Sequence, residues 1–225
     1  MKYTLAFDVY GTLIDTSGVF NSLETIIGDK ATAFMNLWRN KQLEYSFRRA
    51  AMKKYVDFSI CTKEAMEYCC LALRVDLKNS EKDTLMNAYK VLPAFLDVAA
   101  SLENLKEIGH RLFAFSNGSS DAVSTLLEHA NIIHFFEGIV SVADVKMFKP
   151  SPVVYQHFNT KTNSSKLDSW LISGNPFDVM GAISHGMRAV WVQRSSEAIF
   201  DPWGIHPTAT ITGLVKLKSV FDKSD

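Results

Sequence analysis

Residues 3–13, Tyr-Thr-Leu-Ala-Phe-Asp-Val-Tyr-Gly-Thr-Leu, decide the fold. The run 3–9 has strand length and is rich in aromatic and branched side chains; Asp8 interrupts it near its end, and a glycine-bearing turn follows. Apolar character on both sides, rather than clean alternation, marks a strand buried on both faces of a parallel sheet. Runs 111–116, 169–173 and 189–193 read the same way, and 138–142 and 209–212 are weaker strand candidates.

Helical patterns lie between the later runs. Residues 97–108 place Val98, Leu102 and Leu105 on one face, with Gly109 as a C-cap. Residues 119–129 open on Ser119, Ser120 and Asp121 as N-cap candidates, then present Val123, Leu126 and Leu127. Strand alternating with helix predicts an α/β fold, a doubly wound, Rossmann-like parallel sheet with right-handed crossovers. Residues 16–92 break that rhythm, with helical patterns over 31–54 and 63–73 and no convincing strand. They are expected to form an inserted all-helical cap (16–92) on a core made of 1–15 and 93–225. The charged end, 216–225, reads as frayed.

The 24 Lys and Arg residues balance 24 Asp and Glu, which argues against a uniformly charged surface for nucleic acid. A hydrophobic share of 47% is ordinary globular composition. Cys61, Cys69 and Cys70 have no zinc spacing, and their odd number fits a reducing compartment. The first residues make a poor signal peptide, and no stretch approaches the roughly 18 apolar residues of a membrane span. The expectation is a cytoplasmic protein with no membrane partner.

Ligands of open parallel sheets bind beyond the strands' C-terminal ends. Those ends deliver Asp8 with Tyr10, Gly11 and Thr12; Ser116, Asn117 and Gly118; Lys149 and Pro150; and Ser173, Gly174 and Asn175, with Asp178 following. Each has a plainer reading by itself: Asp8 or Asp178 as a helix cap, 116–118 as an ordinary turn, Lys149 as a solvated loop lysine. Their convergence on one edge of the sheet is what singles them out.

The order Phe7-Asp8-x-x-Gly11-Thr12-Leu13, Phe115-Ser116-Asn117-Gly118, Lys149-Pro150 and Ser173-Gly174-Asn175-x-x-Asp178 resembles the haloacid dehalogenase superfamily over essentially the whole chain. Its phosphatases carry a second aspartate where this chain has Tyr10, and a metal-binding aspartate where it has Gly174. Magnesium relies on hard oxygen ligands, and phosphoryl transfer leans on the metal, so both absences disfavour a magnesium-dependent phosphatase or phosphonatase. A catalytically idle binding protein of the same fold is a further alternative. The segment Leu37-Trp38-Arg39-Asn40-Lys41-Gln42-Leu43 is similar to that of the (S)-2-haloacid dehalogenases, apart from Asn40 where glutamine is usual and Phe177 where tryptophan is common.

The resemblance implies a nucleophile at Asp8, a halide-receiving Arg39, and a substrate carboxylate held by Ser116 with N–H groups at Tyr10 and Asn117. Thr12, Lys149, Tyr155, Ser173, Asn175 and Asp178 fall on its remaining polar positions, with Asp178 the candidate water base. Tyr10, Asn40, Leu43, Phe58 and Phe177 are expected on the pocket wall. It implies a small 2-haloacid substrate with halide as product, no metal or other cofactor, and a homodimer.

Overall fold

A computed structural model describes residues 2–222. Strand β1 (Thr4–Phe7) is followed by helices α1 (Ser17–Ile27), α2 (Ala31–Met52), α3 (Phe58–Leu73), α4 (Asn79–Ala88) and α5 (Val98–Ile108). The chain then runs β2 (Arg111–Ser116), α6 (Ser120–His129), β3 (Gly138–Ser141), α7 (Pro152–Thr162), β4 (Ser169–Ser173), α8 (Pro176–His185), β5 (Arg188–Val192), β6 (Ala209–Ile211) and α9 (Leu217–Asp222).

The six strands lie in the order β3-β2-β1-β4-β5-β6, and every neighbouring pair is parallel. Side chains alternate across each strand, and both sets are apolar. Leu5, Phe7, Leu112, Ala114, Trp170 and Ile172 join a core under α5, α6 and α9, whereas Ala6, Phe113, Phe115 and Leu171 join a second under α7 and α8. The strand order reverses between β1 and β4, so their C-terminal ends diverge into a crevice. Asp8 leaves one side of it and Ser173 to Asn175 the other.

The inserted helices share the first core through Val19, Leu23, Phe34, Trp38 and Leu85. The two connections to them run side by side: the Asp15 N–H donates to the Pro93 carbonyl and the Phe95 N–H to that of Leu13, each at 2.9 Å. Helix α2 stops at Lys53, which takes a left-handed conformation (φ 55°). Helix α3 begins at Phe58, five residues before the expected start at 63.

The frayed-end reading is corrected for residues 216–222. Leu217 and Phe221 of α9 are buried, and Phe221 packs against Tyr3, His110 and Trp170. Burying such a side chain contributes about 1.5–3 kcal/mol, enough to hold a short helix. Residues 223–225 of that segment lie outside the described residues. Cys61 and Cys69 are buried, Cys70 is half-buried, and all three thiols are free. Burial pushes the Cys69 thiol up to about 12, which keeps it unreactive. Among the described residues no helix is long and apolar enough to cross a membrane.

Candidate active site

The carboxylate of Asp8 sits at the switch point and is nearly buried, at 8% exposure. Its Oδ2 accepts from Thr12 Oγ1 and from Asn175 Nδ2, both at 2.7 Å, while Lys149 Nζ reaches Oδ1 at 3.2 Å. The Thr12 hydroxyl also accepts the Gly174 N–H at 2.8 Å, latching the loop after β1 to the loop after β4. The loops meet so closely that a Cβ at position 174 would lie 2.5 Å from the Gly11 carbonyl oxygen. Ser173 Oγ accepts the Asn175 N–H at 3.1 Å and so shapes the turn that presents Asn175.

Lys149 is buried in the middle of the cluster. Its ammonium donates to Asp178 Oδ2 at 2.7 Å and to the Phe115 carbonyl at 2.9 Å, and lies 4.1 Å from the centroid of the Phe115 ring. Asn117 Oδ1 accepts the Lys149 backbone N–H at 3.0 Å, so the loop after β2 positions the lysine. Asp178 is buried within the first turn of α8, and both its oxygens are taken, by Lys149 and by Tyr155 Oη at 2.7 Å. It is therefore part of the cluster rather than a helix cap. The tyrosine reaches it because residue 181 is glycine: a Cβ there would run into the Tyr155 hydroxyl and Pro150.

Burial raises the Asp178 carboxyl to about 6; the Asp8 charge adds to the rise, while Lys149 and the Tyr155 hydroxyl oppose it. The folded protein thus holds, between about pH 4 and 6, a proton that the unfolded chain has released. Asp178 is expected to make stability fall as pH rises through that window, with no recovery above it. Melting temperature measured against pH checks this: the fall shrinks in Asp178→Asn, and an unchanged profile would show that Asp178 is not responsible.

Arg39 comes from the inserted helices. Trp38 is buried and donates Nε1–H to the Thr62 carbonyl at 2.8 Å, and Gln42 Nε2 donates to Tyr89 Oη at 3.1 Å. These anchors, one turn apart on α2, point Arg39 at the core, where its Nη2 donates to Asn175 Oδ1 at 2.9 Å. Asn175 therefore links Arg39 to Asp8. Burial lowers the Arg39 guanidinium from its ordinary value, while nearby Tyr89 and the Asp8 charge act the other way.

A cavity of about 570 Å³ opens beside this link, with Tyr10, Arg39, Phe58, Gly118 and Asn175 in its wall. Asp8 lies behind Asn175 rather than on the wall itself. Ser116 is buried at the end of β2, and its Oγ accepts the Gly118 N–H at 3.1 Å. Tyr10 packs edge-on against Tyr89 with ring centroids 6.2 Å apart, and burial pushes its phenol up to about 12. Phe177 packs against Phe47 of α2 at 5.2 Å, joining α8 to the inserted helices, and does not line the cavity.

The expectation for Asn40 needs correcting: it is exposed and off the wall. Consecutive helical residues point about 100° apart, so a helix that aims Arg39 inward turns its neighbour away. Leu43 is half-buried and also off the wall. The cavity takes Met35, Asn36, Arg39 and Gln42 instead, the i−4, i−3 and i+3 companions of Arg39. That helical spacing was a usable signal; the contribution of Tyr89, after α4, had none.

Arg194, also missed, braces the cluster from behind. Its Nε and Nη2 donate to the Thr12 carbonyl at 3.2 and 2.6 Å, and its Nη1 donates to both oxygens of Asp97 at 2.8 Å. Asp97 also accepts the Leu214 N–H at 2.7 Å. As a positioning residue for Thr12, Arg194→Met is expected to lower kcat about 10²-fold with little change in KM, the scale of a small misplacement of reacting groups. Steady-state kinetics check it, with partial recovery expected in Arg194→Lys; equal changes in kcat and KM would sink the role.

The donor set does not fit a magnesium ion. The Lys149 ammonium already bridges the Asp8 and Asp178 carboxylates, Tyr10 presents a neutral phenol, and position 174 has no room for a side chain.

Comparison with known proteins gives the family. The family model described as haloacid dehalogenase-like hydrolase matches residues 5–192. The chain is 32% identical, over 97% of its own length and 95% of the relative's, to (S)-2-haloacid dehalogenase 2 of Pseudomonas sp. strain CBS-3. It superposes on a crystal structure of the L-2-haloacid dehalogenase RSc1362 with a TM-score of 0.94, at 28% identity over 98% and 99% of the two chains. It also superposes, over 100% of both chains at 26% identity and a TM-score of 0.90, on the L-2-haloacid dehalogenase of Xanthobacter autotrophicus with chloropropionic acid covalently bound. The chain belongs to the haloacid dehalogenase-like hydrolase family.

Proposed function

We propose that the protein hydrolyses short-chain (S)-2-haloacids to (R)-2-hydroxyacids, with inversion and without a metal ion, through an ester on Asp8. The observation that carries this reading is the linkage of one carboxylate, Asp8, to Lys149 on one side and through Asn175 to Arg39 on the other. The relatives' activity and the covalent adduct in a homologous structure support it.

Asp8 Oδ2 is held by two short hydrogen bonds and Oδ1 by one longer contact, which leaves Oδ1 the freer to attack. Oδ1 bonds to C2 as the carbon–halogen bond breaks, and the halide departs as an anion toward Arg39. A fixed donor of this kind contributes roughly 2.7–4 kcal/mol to a transition state in which charge develops. The Ser116 hydroxyl accepts from Gly118, so its own hydrogen is free to donate to the substrate carboxylate, beside the N–H groups of Tyr10 and Asn117. Lys149 offsets the repulsion between Asp8 and that anionic substrate.

In the second step water adds to Asp8 Cγ and the Cγ–Oδ1 bond breaks. The water's oxygen stays on Asp8, and Oδ1 leaves as the product's hydroxyl, taking the water's second proton. Asp178 takes the water's proton, while Tyr155 and Lys149 hold its carboxylate in place. C2 is attacked once, so its configuration inverts once. Because Asp178 must be ionised to act as base, kcat rises as pH rises through about 6.

Residues 16–92 act in this reading as a cap domain that delivers Arg39 and closes the site of a core formed by 1–15 and 93–225. A cytoplasmic location belongs to the same proposal, supported by the three free thiols; homodimerisation is checked by light scattering. The reaction is tested by following halide release from chloroacetate and both 2-chloropropionate enantiomers with EDTA present. Release that survives chelation and is confined to the (S) enantiomer is expected; release that appears only with added magnesium overturns it.

A further inference from the structure

A cavity of about 570 Å³ falls in the range of roughly 300–1,000 Å³ that holds drug-sized ligands, far beyond the few heavy atoms of 2-chloropropionate. Its wall extends well past the reacting groups. On α2 it runs from Met35 to Gln42, about 10 Å along the helix axis, with Arg39 between them. Its apolar surface there is Met35, Met86 of α4, the Tyr89 ring and Ala122 of α6, while Asn36, Lys90, Thr16 and Ser119 add polar groups to the same wall. Met35 and Met86 are half-buried, and unbranched thioether side chains adapt to apolar ligands of varied shape. Among the described residues no hydrogen bond joins these side chains to Asp8, Lys149 or Asp178, whose side chains bond to Thr12, Asn175, Tyr155, the Phe115 carbonyl and one another, so the space lies outside that network.

We propose that this extension is an alkyl-chain subsite, and that the preferred substrates are 2-haloacids carrying a butyl-length or longer chain on C2. The inference rests on the dehalogenase reading and moves its preferred substrate from short chains to longer ones. With the carboxylate at Ser116 and the halide at Arg39, the remaining large substituent on C2 runs along α2 between Met35, Met86 and Tyr89. Burying one methylene in an apolar site favours binding by a factor of up to about four. Three more methylenes therefore outweigh the loss of chain freedom on binding.

The test compares kcat/KM for (S)-2-bromohexanoate and (S)-2-bromopropionate in the full-length protein. A higher value for the hexanoate is expected; a value no higher than the propionate's overturns the subsite. Met86→Trp and, independently, Ala122→Leu fill the extension and should each lower the hexanoate-to-propionate ratio at least tenfold. A ratio unchanged in both folded variants overturns the subsite. Absence of turnover with either substrate overturns the dehalogenase reading itself, whereas turnover of bromopropionate with discrimination against bromohexanoate overturns only the chain-length inference.

Discussion

Asp8→Asn is expected to lower kcat by about 10⁴-fold or more, the scale seen when a covalent nucleophile is removed. The reason is chemical, because an amide oxygen does not displace halide at a useful rate. The substituted side chain still has a place in the fold. Its carbonyl accepts the Thr12 and Asn175 donors that now meet Oδ2, which leaves its NH₂ facing the Lys149 ammonium. A stability loss of about 1–3 kcal/mol accompanies that donor-to-cation contact. In the unsubstituted enzyme, a single turnover in H₂¹⁸O is expected to place heavy oxygen in the peptide containing Asp8, which mass spectrometry reads directly. Heavy oxygen found only in the hydroxy acid would rule out the ester and point to direct attack by water.

Lys149→Met removes the cation while keeping the volume. Lys149 is 1% exposed, and its ammonium contacts both Asp8 and Asp178. Without it, two buried carboxylates face each other and the Phe115 carbonyl loses a donor. Breaking a buried pair in this way costs about 3–5 kcal/mol. The Asp178 carboxyl, already raised by burial to about 6, is pushed up further, which weakens the base that the proposed mechanism assigns to it. Activity is expected to fall by about 10³-fold or more, the combined loss of substrate-charge compensation and a working base. Denaturant melts and kcat at pH 7 measure the two effects. The double substitution Lys149→Met with Asp178→Asn should recover much of the stability and none of the activity. A single variant as stable as the parent would show that the ammonium is not what holds the carboxylates together.

Much of the site was legible because its residues sit at the ends of apolar runs. A strand buried on both faces announces itself in composition, and a polar residue where it stops stands out. Asp8, Ser116, Ser173 and Asn175 were visible for that reason, and Arg39 through its Trp-Arg-x-Lys-Gln setting. Pairing them was another matter. Lys149 contacts residues 141 and 34 positions earlier and 29 later, and Arg194 reaches Thr12 across 182 positions. No local pattern carries such distances; they follow from the strand order.

By itself, the sequence determined the layered α/β class, the helical insertion, the balance of positive and negative charges, and which residue types gather at one edge of the sheet. Periodicity and turn chemistry are local properties, so they survive without coordinates. Only the tertiary structure decided that Asn175 links Asp8 to Arg39, that Gly174 and Gly181 are gaps through which neighbouring loops and side chains approach, that Asn40 points to solvent, and that the cavity extends along α2. Each depends on the angle and separation at which distant elements pack. Those are set by how whole apolar faces bury against one another, not by any one stretch of chain.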